Sequence, residues 1–176
     1  MGFKIVDVEF YQSPCGAKVD SILSNWGMSC KEIEDSLKNG NYEYSDTEGL
    51  HDRLEASLMM FFKLKGHFIA VERKYHHEFN LEADVVVQKS ETRGKRIYVE
   101  IEFRDKGQYL DIVEFLVGYK HDLDLGVLIV AKNKKNLKYA YRTVIEFHSC
   151  KNILATLALE CPILLIGFDG VWENEA

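Results

Sequence analysis

Leu81–Lys106, LEADVVVQKSETRGKRIYVEIEFRDK, sets one aspartate on a predicted strand and two glutamates, one residue apart, on the next. Glu82–Val87 and Arg96–Phe103 have the composition of two strands, joined by the turn-forming, basic segment Lys89–Lys95, and so predict a hairpin. Side chains alternate across a strand. Ile97, Val99, Ile101 and Phe103 therefore share one face, and Tyr98, Glu100, Glu102 and Arg104 the other. Asp84 on the neighbouring strand brings a third carboxylate to the same place. Like charges that close repel by roughly several kcal/mol at an effective dielectric near 20, so a cation is expected between them. Hard oxygen ligands select Mg²⁺ or a similar ion, and a carboxylate site with open water positions is suited to phosphoryl chemistry. A lone Glu-x-Glu also fits the solvated side of an antiparallel sheet. The order of the surrounding elements argues instead for a site at a buried edge.

Upstream, MGFKIVDVEF reads as a first strand and Ser29–Leu37 as a short helix, broken by Lys38-Asn39-Gly40-Asn41. Ser45-Asp46-Thr47-Glu48 has a capping spacing. Leu50, Leu54, Leu58, Phe61, Phe62 and Leu64 then recur at helical intervals up to Gly66, predicting a helix packed on a sheet. Phe68–Val71 is a strand, so that three strands form a meander. Downstream, Leu110–Tyr119 is expected to be a helix with Leu110, Val113, Leu116 and Val117 as its apolar stripe. Gly126–Ala131 is a continuous apolar run, the pattern of a strand buried on both faces. A helix from about Lys138 to Leu159 and a buried strand over Pro162–Phe168 complete the series. The alternation implies an α/β fold, a mixed central sheet flanked by helices.

A chain of 176 residues with 47% hydrophobic and 28% charged residues is long enough for one well-packed core, and its two prolines leave little room for linkers. The N-terminus lacks the pattern of a signal peptide. Ile153–Phe168 is apolar but short and interrupted by Glu160 and Pro162, so no membrane span is expected. Cys15, Cys30, Cys150 and Cys161 have no Cys-x-x-Cys spacing, which suits free thiols in the reducing cytoplasm rather than a zinc site. His76-His77 fits an exposed loop better than a metal site.

The net charge of −6 argues against binding nucleic acid by bulk attraction. The positive charge is local, however. Lys132–Arg142 holds five basic residues and no acid, and Lys89–Arg96 four basic residues against one acid. Such segments can meet phosphates while the acidic remainder discourages indiscriminate binding; a solvated loop is the plainer alternative.

The order of elements, together with Asp84 and Glu100-Ile101-Glu102, resembles the PD-(D/E)-x-K nuclease superfamily, and within it the type II restriction endonucleases of the BglII and BamHI group. That group replaces the motif lysine by Gln or Glu, and Val99-Glu100-Ile101-Glu102-Phe103 looks like its catalytic strand with Glu in that place. The likeness extends through Gly126–Lys132, Tyr139-Ala140-Tyr141 and Pro162–Gly167; no Pro precedes Asp84. It implies a single restriction-endonuclease-like domain over residues 1–176, with its core at about 45–170.

By the same resemblance, Asp84, Glu100 and the Ile101 carbonyl would hold one or two Mg²⁺ ions. Glu102 would orient or deprotonate the attacking water, and Glu55 would add an acid beside the metal. Arg104 and Lys106 are placed to steady a phosphate. Lys132, Lys134 and Lys135 would follow the DNA backbone, with Asn133, Asn136 or Arg142 reaching base edges. The implied activity is sequence-specific cleavage of double-stranded DNA by a homodimer, since one such site cuts one strand. A structure-selective or non-specific repair nuclease and an inactive DNA-binding module on the same fold are the alternatives.

Overall fold

The computed structural model describes residues 2–14, 19–40, 42–43, 47–76, 81–89, 94–103, 107–133, 137, 146–157 and 159–172. Along the chain these form β1 (Gly2–Gln12), α1 (Val19–Asn25), α2 (Cys30–Lys38), β2 (Tyr42–Glu43), α3 (Thr47–Leu64), β3 (Phe68–His76), β4 (Leu81–Gln88) and β5 (Arg96–Ile101). There follow α4 (Gly107–Tyr119), β6 (Leu123–Ala131), α5 (Phe147–Leu157) and β7 (Ile163–Trp172). The strands make one mixed sheet in the order β2-β1-β7-β6-β5-β4-β3.

The predicted meander is present: β3 pairs antiparallel with β4 and β4 with β5. From β5 the sheet turns parallel, through β6 to β7, because α4 and α5 carry the chain back across one face after each strand. β1 closes antiparallel on β7.

Alternation along the strands supplies both cores. Val85, Val87, Ile97, Val99, Ile101, Val127, Ile129 and Ile166 face α1, α2 and α3, whose Leu23, Ile33, Leu37, Leu50, Leu54, Leu58 and Phe62 are buried against them. Fully burying each such side chain is worth about 1.5–3 kcal/mol. On the opposite face Val86, Tyr98, Leu128, Val130 and Leu165 pack with Ile112 and Phe115 of α4 and with Phe147, Cys150 and Leu154 of α5. Gly126 admits the Phe115 ring, which a methyl group there would overlap, so α4 lies close against β6.

The helix over Ser29–Leu37 forms with Ser29 as its N-cap, the hydroxyl accepting the Glu32 backbone N–H at 3.3 Å. One expectation needs correction. The stripe on α4 is turned: Leu110 and Val113 are 59% and 51% exposed, while Asp111, Ile112, Glu114 and Phe115 are buried. Of the helix expected from about Lys138 to Leu159, α5 supplies Phe147–Leu157, Glu146 bridges to Ala131, and residues 138–145 lie outside the described residues. The short elements α1 and β2 had no counterpart in the sequence reading. Cys30, Cys150 and Cys161 are free thiols. No described helix is long and apolar enough to cross a membrane. The capping stretch at Ser45, the side chains of His76 and His77, and Cys15 lie outside the described residues.

Candidate active site

The site lies where β4 and β5 part. Their registered pairing ends at Val85↔Val99, and beyond it side chains replace the backbone ladder. Asp84 Oδ2 accepts the Ile101 N–H at 2.7 Å, and the Asp84 N–H points to Glu100 Oε2 at 3.4 Å. β5 stays tied to β6 past this point, the Glu102 N–H donating to the Ile129 carbonyl at 2.9 Å. The opening therefore sits at the carboxyl end of a parallel strand, beside the start of the helix that follows, the usual place for a ligand site in such sheets.

Asp84 and Glu100 are next neighbours beyond the last pair, as the hairpin predicted, and strand alternation puts Glu100 among buried groups with 6% exposure. Burial first, then the charges of Asp84, Asp111 and Glu114, push its carboxyl up to about 11. Glu102 follows the strand end and lies against the first turn of α4. A methyl group at Gly107 would overlap its carboxylate.

Two elements add groups that the motif did not contain. The inward face of α4 carries Asp111 and Glu114, one turn apart and 7% and 6% exposed. Burial, then Glu102, Glu114 and Asp84, raise Asp111 to about 8. From the other side of the sheet, α3 brings His51 to Asp84, with Nε2 3.2 Å from Oδ2. The bond to Asp84 raises the imidazole pKa against its burial, and Glu55 and Asp52 add to the rise. Ligand atoms of His51, Asp52 and Glu55 lie within 4.8 Å of one another. Glu55 thus borders the site beside His51, one turn further along α3. Both additions have helical spacings that sequence reasoning passed over, Asp111-x-x-Glu114 shortly after β5 and His51-x-x-x-Glu55.

The donors here are of the type that a hard divalent cation takes. Glu100 Oε1 and Asp111 Oδ2 are buried and have no hydrogen-bond partner among the described residues. Oxygen donors of this kind, together with Asp84, are the ligand set that Mg²⁺ takes.

The basic residues are less uniformly placed. Lys132 follows β6 and is paired with Asp7 at 2.6 Å and Glu9 at 3.0 Å, so its charge is engaged within the protein. Asn133 is half-buried next to it. Arg104, Lys106, Lys134, Lys135, Asn136 and Arg142 lie outside the described residues.

No family model matches the sequence, and no curated protein matches it. Solved structures do match in fold. Restriction endonuclease BglII complexed with a DNA 16-mer superposes with a TM-score of 0.66 at 16% identity, over 96% of this chain and 81% of that one. Free BglII gives 0.57 at 18% identity, over 97% and 82%. The chain thus has the BglII-like restriction-endonuclease fold, in agreement with the architecture read from the sequence.

Proposed function

We propose that the chain is a Mg²⁺-dependent, sequence-specific endonuclease that hydrolyses phosphodiester bonds of double-stranded DNA. The observation that carries this reading is the split between β4 and β5, where Asp84 and Glu100 sit side by side with an unpartnered, buried Glu100 oxygen between them and α4. The BglII-like fold, which in that protein is seen complexed with DNA, supports DNA as the substrate.

In this reading Asp84, Glu100 and the Ile101 carbonyl hold the cation. Bound there, Mg²⁺ supplies Lewis acidity to the scissile phosphate and lowers the pKa of a water. Glu102, kept against the first turn of α4, orients that water towards phosphorus. His51 donates to Asp84 and holds the carboxylate in place from the α3 side. Glu55 acts through His51, whose protonated form its charge favours. Arg104 and Lys106, between β5 and α4, steady the phosphate, and Asn133, Lys134, Lys135 and Arg142 contact the DNA. Cutting both strands requires two copies of the site, and a homodimer supplies them.

The test is the product pattern on long unmethylated DNA of known sequence with Mg²⁺. Discrete fragments with common ends support a restriction-type enzyme. A smear means a nuclease without sequence selectivity, and binding without cutting means an inactive DNA-binding module.

A further inference from the structure

The basic stretch Lys132–Arg142 contains one leucine, Leu137, between Lys134-Lys135 and Lys138. That leucine is 6% exposed and belongs to the core between the sheet and α1, α2 and α3. A core leucine in so charged a surrounding fixes the chain at that point, because moving it would return its side chain to water. The stretch is tied on the opposite face of the sheet as well. The Lys132 N–H donates to the Phe168 carbonyl at 2.7 Å, and the side chain runs over Gly167 to reach Asp7 and Glu9. Phe147, buried in the core under α5, lies over the same glycine, which a side chain there would prevent. Just before it, Glu146 bridges to Ala131. Lys132, Leu137 and Phe147 thus hold the chain to both faces of the sheet at one end of β6. This is the end that carries the acids. Ile129 pairs with Ile101 and its carbonyl takes the Glu102 N–H at 2.9 Å, so β6 ends about 5 Å, one strand spacing, from the strand of Glu100 and Glu102.

We propose that Leu137 is a positioning residue for DNA binding, acting through the lysines beside it. Covalent reach alone keeps the Cα atoms of Lys135 and Lys134 within about 7 Å and about 11 Å of Leu137. A tether in the core, with the chain also held at Lys132 and Phe147, restricts where these ammonium groups can go before DNA arrives. Ordering a charged segment on binding costs affinity, and a segment restricted during folding has less of that cost left. A buried apolar side chain therefore carries part of the DNA affinity. This inference rests on the reading of the chain as a DNA endonuclease, in which Lys134 and Lys135 meet the backbone. It deepens that reading by naming what sets their position.

Binding of a supercoiled plasmid to the full chain in Ca²⁺, read by gel retardation at a temperature where every variant is folded, tests it. Leu137→Ala is expected to bind about tenfold more weakly than the wild type, and Leu137→Met to restore binding. Leu37→Ala truncates a fully buried leucine of the same core on α2, so it is expected to lower the melting temperature and to keep wild-type DNA affinity. In Mg²⁺ the loss in Leu137→Ala should appear in KM for the plasmid and leave kcat within about twofold. Wild-type affinity in Leu137→Ala would overturn the positioning role. So would an equal loss of affinity in Leu37→Ala, and plasmid cleavage by the wild type would then leave the nuclease reading intact. A wild type that binds plasmid without cutting it overturns the nuclease reading alone, and the affinities still decide the role of Leu137. A wild type that neither binds nor cuts overturns both.

Discussion

Asp84 Oδ2 takes the backbone N–H of Ile101 at 2.7 Å, so a side chain on β4 completes the ladder to β5 at the point where the strands separate. The same carboxylate is the proposed cation ligand, which makes its structural and chemical roles separable by substitution. Asp84→Asn retains an oxygen that can accept from Ile101 but loses the charge. It is expected to fold normally and to cut DNA about a thousandfold more slowly, equivalent to about 4 kcal/mol of barrier. Asp84→Ala also strands the Ile101 N–H, at a cost of about 1–3 kcal/mol that relief of repulsion with Glu100 partly offsets. Thermal denaturation and single-turnover cleavage of the two variants measure the separate effects.

Metal-free protein is expected to lose stability as pH rises. Glu100 and Asp111 have ordinary values of 4.5 and 3.8, raised in the fold to about 11 and about 8 by burial and neighbouring acids. Below about pH 4 both are protonated in both states, and neither penalises folding. Above it the unfolded chain releases its protons while the folded one retains them, so stability falls for Asp111 until about pH 8, and for Glu100 beyond that. Mg²⁺ should oppose the trend by stabilising the ionised forms, with the larger melting shift at about pH 8 than at about pH 5. Glu100→Gln should raise the metal-free melting temperature and flatten its pH dependence while abolishing cleavage. Differential scanning calorimetry across this range, with and without Mg²⁺, checks each sign. Calorimetric titration in buffers of different ionisation heat should show proton release on Mg²⁺ binding.

Gly107 offers a test of Glu102 that leaves every carboxylate in place. A methyl group there would overlap the Glu102 carboxylate and must displace it. Gly107→Ala is therefore expected to reduce the cleavage rate by about tenfold or more, since small misplacements of a catalytic group are costly. DNA affinity should change little, as read from a binding isotherm in Ca²⁺. A normal rate in this variant would remove Glu102 from the water-orienting role.

Lys132 and its neighbours should behave differently towards salt. The Lys132 ammonium is held by Asp7 and Glu9, so Lys132→Ala should leave the salt dependence of DNA binding nearly unchanged. It should lower stability by less than about 1 kcal/mol, because both acids are largely exposed. Replacing Lys134 or Lys135, if each meets a phosphate, should reduce the slope of log affinity against log salt by about one. Fluorescence anisotropy at several salt concentrations gives these slopes.

The parts of the site written in strand periodicity were legible. Period-two alternation placed Glu100 and Glu102 opposite Ile101, and the turn-forming stretch between the two strands brought Asp84 alongside. The continuous apolar runs of β6 and β7 likewise marked the centre of the sheet. The contribution of α4 was not legible for a physical reason. An amphipathic reading assumes that a helix buries its apolar side, and here Asp111 and Glu114 are buried while Leu110 and Val113 are not. His51 was missed because its partner, Asp84, is 33 residues away, a contact made only when α3 packs beneath the sheet. The Ala131↔Glu146 bridge just before α5 was not legible either, because composition says nothing of a contact between residues 15 positions apart.

We propose above that the acids at the β4–β5 split hydrolyse DNA through a bound divalent cation. The deciding measurement is conversion of supercoiled plasmid to nicked and linear forms by purified protein in Mg²⁺, in EDTA, and as Asp84→Asn in Mg²⁺. Linear product in Mg²⁺ alone, absent from the other two reactions, is the expected result. Equal cleavage in EDTA or by Asp84→Asn, or intact plasmid in Mg²⁺ and Mn²⁺ on DNA shown to be bound, would contradict it.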